Sequence, residues 1–106
     1  MSDNKAQKAA SLLGLAKRAG KITSGVPLII EALRSKKQPS LVVASASASE
    51  NSLKKISDKC KFYGVELIKI SLAPSELAHA VGSTGSVAAV AVNDGGLADL
   101  VRSAID

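Results

Sequence analysis

Ser40-Leu41-Val42-Val43-Ala44 is the stretch on which the fold turns. Its four consecutive apolar residues leave no polar face, so a strand built from them must be covered on both sides. Immediately downstream, the polar Ser-Ala run from Ala44 to Ser49 reads as a loop and is the nearest approach to low complexity in the chain. Ser47 and Glu50 have the spacing of a capping box, and Leu53, Ile56, Cys60 and Tyr63 then mark a helical stripe that ends near Gly64. That helix displays Lys54, Lys55, Lys59 and Lys61 to solvent, and Val65 to Ile70 returns as another strand.

The same alternation extends in both directions. Towards the N-terminus, Ala6, Ala9, Leu12, Leu13 and Ala16 recur at helical spacing, which predicts a helix over residues 5–19 stopped by Gly20. Lys21-Ile22-Thr23 is a short extended piece. Val26, Ile29, Ile30 and Leu33 lie on one face of a second helix, with Pro27 tolerated in its first turn and Lys36, Lys37 and Pro39 closing it. Towards the C-terminus, Pro74 to Val81 reads as a short helix and Val87 to Val92 as a wholly apolar strand, and Gly95-Gly96 precedes a last helix carrying Leu97, Leu100 and Val101. Helices alternating with short apolar strands imply an α/β class: a three-layer α/β/α sandwich with a central mixed sheet of about four strands. The chain has 106 residues, so a single domain over 1–106 is expected, and no internal repeat is visible.

Composition narrows the function. Hydrophobic residues make up 46% of the chain but aromatics only 2%, so the core is built from Ala, Val, Leu and Ile, and no row of rings exists on which RRM or OB-type sheets stack bases. Cys60 is the only cysteine, which excludes an internal disulfide and fits a reducing cytoplasm. No apolar stretch approaches the roughly 18 residues of a membrane span, and the N-terminus lacks the pattern of a signal peptide. The net charge of +5 is unevenly spread: residues 1–37 carry eight Lys or Arg against two acids, whereas residues 71–106 carry one against four. A basic N-terminal third points to an acidic partner.

Within that third, Leu12 to Gly25 (LLGLAKRAGKITSG) runs from a helix through a basic pair into a glycine turn. The helix that follows Gly25 opens with unpaired N–H groups and a positive dipole end, so a phosphate is expected there with Lys17, Arg18 and Lys21 close by. A nucleotide-binding P-loop is excluded. Five residues rather than four separate Gly14 from Gly20, Ile22 stands after Lys21 where a magnesium-holding hydroxyl belongs, and no strand precedes Gly14.

No catalytic set emerges elsewhere. Glu76 and His79 are one helical turn apart, but His79 is the sole histidine and no further ligand converges on the pair. Gly82-Ser83-Thr84-Gly85-Ser86 lacks the pattern of a nucleophile elbow, and Cys60 falls on the apolar stripe of its helix. What remains is a pair of loops, the turn into Gly25 and the Gly-Ser-Thr-Gly-Ser segment before Val87. In such a sandwich both are expected at one end of the sheet, where N–H groups, hydroxyls and lysines would surround a phosphate backbone; the plainer alternative is two ordinary connections.

Three segments, Leu12 to Gly25, Ala48 to Gly64 (ASENSLKKISDKCKFYG) and Glu76 to Val92 (ELAHAVGSTGSVAAVAV), together resemble the kink-turn RNA-binding family that includes ribosomal protein L-seven-Ae, in its small bacterial YlxQ-type branch. The resemblance implies an α/β/α sandwich, structured RNA as ligand, no cofactor and a setting in translation. In that family the RNA-gripping helix follows a glycine with a small residue, then Asn-Glu, and a lysine three positions later. Gly25 matches the glycine, but Pro27, Leu28 and Glu31 take the places of the asparagine, glutamate and lysine. Ser83, Thr84 and Ser86 replace the aliphatic residues of the family's second contact loop.

The expectation is therefore a non-catalytic, cytoplasmic, ribosome-associated RNA-binding monomer, with ribosomal or kink-turn-containing RNA and ribosomal proteins as partners and no membrane contact. Its RNA-binding residues are Lys17, Arg18, Lys21, Ser24, Gly25, Val26, Pro27, Ser83, Thr84 and Ser86. The alternative is a protein-interaction module on the same fold, using Val26, Pro27 and Leu28 as an apolar patch.

Overall fold

The computed structural model describes residues 2–105. Their elements follow in the order α1 (Ser2–Arg18), β1 (Ile22–Ser24), α2 (Val26–Arg34), β2 (Leu41–Ser45), α3 (Glu50–Tyr63), β3 (Leu67–Ile70), α4 (Pro74–Ala80), β4 (Ala89–Val92) and α5 (Gly95–Ile105). The strands form one mixed sheet in the order β1-β4-β2-β3. β2 and β3 are parallel, while β4 runs antiparallel to both β1 and β2.

β2 is buried along its whole length, as its unbroken apolar run requires. Alternation sends Leu41 and Val43, with Val90, Val92 and Ile70, into one core beneath α1, α4 and α5. Val42 and Ala44 face the other way, with Ala89 and Ala91, against Ile29 and Leu33 of α2 and Ile56 and Cys60 of α3. The three layers expected from the sequence are present. Each fully buried Leu or Ile, among them Leu13, Ile29 and Leu77, contributes about 1.5–3 kcal/mol relative to exposure.

Boundaries depart from the sequence reading by small amounts. α1 begins at Ser2 and ends at Arg18, the strands ending at Ile70 and Val92 are shorter, and α5 takes in Gly95 and Gly96. The capping box expected of Ser47 and Glu50 does not form. Ser47 instead donates its N–H to Ser45 Oγ at 3.3 Å, and Ser45, buried, donates its own hydroxyl to the Leu72 carbonyl. α3 is capped by Ser49, whose hydroxyl accepts from Ser52 N–H at 3.2 Å, and closed by left-handed Gly64. No helix among the described residues is long and apolar enough to cross a membrane.

Candidate functional site

Strand direction sorts the loops. Because β1, β2 and β3 share one direction and β4 opposes it, the C-terminal ends of the first three meet the start of β4 at one end of the sheet. There the turn into α2 touches the loop of residues 82–88: Gly25 N–H donates to the Ala89 carbonyl at 3.1 Å, one step beyond the Ser24–Val90 pair. The loop is held on its other side by Ser45 N–H to Ala88 O at 2.8 Å and Val87 N–H to Pro74 O at 3.0 Å. The two loops paired on sequence grounds are thus brought together.

Gly25 has φ 93° and ψ 139°, a backbone conformation that residues other than glycine adopt only under strain, and its carbonyl accepts the first helical bond from Ile29 N–H at 3.0 Å. Pro27 and Leu28 then project outward, Leu28 with 56% of its surface exposed, whereas Val26 is half-buried against the α2–α3 core. Thr84, Gly85 and Ser86 are exposed at the loop tip, and Ser83 is half-buried with its N–H on the Ala78 carbonyl at 2.9 Å. Ser24, expected to offer a hydroxyl, instead has its Oγ enclosed with no hydrogen-bond partner among the described residues.

The loops at this end carry no cation of their own; Lys69, on the opposite edge strand β3, lines a pocket with Lys5, Ile70 and Ser71. Residues 24–28, 45–50, 71–76 and 82–88 contain no Lys or Arg, and their acids are Glu50 and Glu76. The Glu76 carboxylate accepts from Ala73 N–H at 2.8 Å, which fixes the start of α4, and His79 lies exposed in its last turn. Among the described residues no group of three or more His, Cys, Asp or Glu is placed to hold a metal ion.

The cations expected beside Gly25 lie at the opposite end. Lys21 precedes β1, its carbonyl accepts from Asn93 N–H at 2.8 Å just past the end of β4, and its own N–H donates to Ala16 O at 2.9 Å. That bond and Gly20 N–H to Lys17 O at 3.0 Å hold the last turn of α1, with exposed Lys17 and Arg18, at this end of the chain's path into β1. Lys21 and Gly25 are only four residues apart in sequence, but along a strand those four steps span about 13 Å. Arg34, at the end of α2, and Lys36 and Lys37, in the connection to β2, reach the same end, where Ser40 N–H donates to Val92 O at 2.8 Å. Helix C-termini favour cations, which accounts for Lys17, Arg18, Arg34 and Lys61 in the last turns of α1, α2 and α3. Lys21, Lys36 and Lys37 lie outside helices and are not explained that way. Sequence reasoning used Lys36 and Lys37 only as a helix stop; their adjacency in a chain already rich in N-terminal cations was the available signal.

Comparison with known proteins bears on the same fold. The sequence model of the "Ribosomal protein L7Ae/L30e/S12e/Gadd45 family" matches residues 7–101. The chain is 39% identical over 95 residues to RNA-binding protein YlxQ of Bacillus subtilis (strain 168), covering 90% of this chain and 92% of that one. It is 34% identical over 106 residues to RNA-binding protein YlxQ of Enterococcus faecium, covering 100% and 99%. Among solved structures, a protein with unknown function from Bacillus halodurans C superposes with a TM-score of 0.83 at 29% identity, covering 93% of this chain and 97% of that chain. The Giardia lamblia 15.5kD RNA binding protein superposes with a TM-score of 0.75 at 15% identity, covering 95% and 84%, and shares the fold.

Proposed function

The chain belongs to the ribosomal protein L7Ae/L30e/S12e/Gadd45 family, and from that membership we propose that it is a non-catalytic RNA-binding protein that holds structured RNA at the Gly25 end of its sheet. The observation that supports this most directly is the 3.1 Å bond from Gly25 N–H to Ala89 O, which sets the two loops expected to grip RNA side by side. The names of its YlxQ relatives point to the same ligand class.

In this reading Gly25 lets the RNA backbone approach closely, Ser83, Thr84 and Ser86 reach ribose and phosphate oxygens, and Val26 and Pro27 pack against the sugar face. Lys17, Arg18 and Lys21 neutralise phosphates further along the strand. Pro27 and Leu28 carry no side-chain group that can bond a guanine edge, and Glu31 repels phosphate, so the RNA is selected by its folded shape more than by its bases. The setting is the cytoplasm and the ribosome, the partners ribosomal RNA, kink-turns included, and ribosomal proteins, and the working form a monomer. Glu76, committed to Ala73 N–H, and the solitary His79 leave no acid–base pair for RNA cleavage.

Exposed Leu28 beside Pro27 favours one other reading, a protein-docking module in which these residues meet a partner. The experiment that separates the two is binding of the full chain to a kink-turn RNA and to a straight RNA duplex of equal length, at two salt concentrations. RNA binding predicts measurable affinity for both, falling with salt; no binding at low ionic strength sinks it and leaves protein docking.

A further inference from the structure

Between β1 and the end of α2, at the end of the sheet away from Gly25, lies a cleft of about 330 Å³. Lys21 and Lys37 line it together with Thr23, Gln38 and Asn93. The polar side chains are already oriented. Asn93 Nδ2 donates to Thr23 Oγ1 at 3.0 Å and Gln38 Nε2 to the Leu33 carbonyl at 2.9 Å, so each amide keeps a second N–H, and the Thr23 hydroxyl its hydrogen, for an incoming acceptor.

The charge balance is one-sided. The acids on the elements around the cleft are Asp94, whose carboxylate accepts from Leu97 N–H at 2.9 Å to cap α5, and Glu31, exposed on α2. Ion pairs within 4.0 Å among the described residues are confined to Arg102, with Glu66 and Asp99, so the cleft's lysines are not neutralised by pairing. Lys17 and Arg18, tied in through the Ala16–Lys21 bond, and Lys36 beside Lys37 add to the positive charge at this end. Such a run of donors and cations fits a chain of phosphates better than a single small anion.

We propose that this cleft is a second RNA-contacting surface, in which Lys21 and Lys37 clasp the phosphodiester backbone of an RNA that runs along the β1 edge from the Gly25 end. The inference rests on the RNA-binding reading above. It assigns most of the electrostatic affinity to the end of the sheet that lacks the family's gripping helix start, because the loops around Gly25 have no cation to supply it and Lys69, at that end, stands on the opposite edge strand β3.

The test is titration of the full chain with a fluorescent straight RNA duplex over a salt series. It compares Lys21→Glu/Lys37→Glu with Lys54→Glu/Lys55→Glu, an equal charge change on the exposed face of α3. The cleft pair is expected to lose on the order of tenfold or more in affinity and to lower the slope of log K against log salt by about 1.5, as two lost phosphate contacts require, while the α3 pair changes little. Lys21→Gln/Lys37→Gln, with the fold checked by circular dichroism, repeats the measurement without charge reversal and should lose several-fold. Equal losses from both charge-reversed pairs, or an unchanged slope in the cleft variants, would overturn the cleft while leaving RNA binding intact. Absence of any binding by the wild-type chain would overturn the RNA reading and the cleft together.

Discussion

A Cβ placed on Gly14 would lie 3.0 Å from the carbonyl oxygen of Ala80, so α1 and the end of α4 approach as closely as they do only because residue 14 has no side chain. The opposing atom is backbone and cannot rotate away. This contact joins the first helix, through α4, to the loop that meets Gly25.

Gly14→Ala is therefore expected to destabilise the chain even though alanine is the better helix former by about 1 kcal/mol. Overpacking against a carbonyl costs about 1–3 kcal/mol and outweighs the propensity gain. Urea unfolding checks it: a higher midpoint for the variant would mean that α4 yields freely.

Gly25 and Gly64 both have positive φ and open space around them, yet they should respond differently to asparagine. Gly64, at φ 70° and ψ 30°, is in the left-handed region that asparagine tolerates, whereas Gly25, at φ 93° and ψ 139°, is not. Gly25→Asn is expected to lose about 1–3 kcal/mol and Gly64→Asn well under 1 kcal/mol, measured by thermal unfolding. Equal losses would contradict the backbone assignment at Gly25.

The triple variant Pro27→Asn, Leu28→Glu, Glu31→Lys places polar groups where the family resemblance expects them, at three exposed positions. A kink-turn RNA should then gain at least about tenfold over a straight duplex relative to wild type, because base-edge hydrogen bonds add discrimination that shape alone lacks. No gain in the ratio would show that the helix start does not face the RNA.

Cys60 is 1% exposed, and burial pushes its thiol up from 9.0 to about 11. The folded protein should resist alkylation at pH 8 and react fully in denaturant, as read by mass spectrometry. Since the unfolded thiol ionises first, this group's contribution to stability is complete below about pH 9 and declines as pH rises towards 11. Cys60→Ala should flatten that part of the pH–stability curve.

The layers were legible because they depend on local pattern. The Leu41–Ala44 run reads as a buried strand and is one, and Ala6, Ala9, Leu13 and Ala16 are buried as their helical spacing implies. The Ser47 cap failed because two other serines competed: Ser45 holds Ser47 N–H and Ser49 fits the first turn better. The site was half legible. Gly25 and residues 82–88 meet, but Lys21 was placed beside Gly25 on sequence distance, and an extended chain separates neighbours that a helix would stack. The antiparallel pairing of β1 with β4, which settles the matter, is a long-range relation that no local pattern encodes. Asn93 and Thr23, 70 residues apart, share the cleft for the same reason.

β1 has three residues, and both ends of the sheet are tied to it through its ladder with β4. It acts as a spacer of fixed length between whatever is bound at either end. Ile22 packs into the core, and inserting a single residue would swing it to the opposite face. The interval can therefore change only in steps of two residues, or about 7 Å. Lengthening β1 by two residues would move the Gly25 loops and the Lys21 cleft apart by one such step, and a partner spanning both would no longer fit.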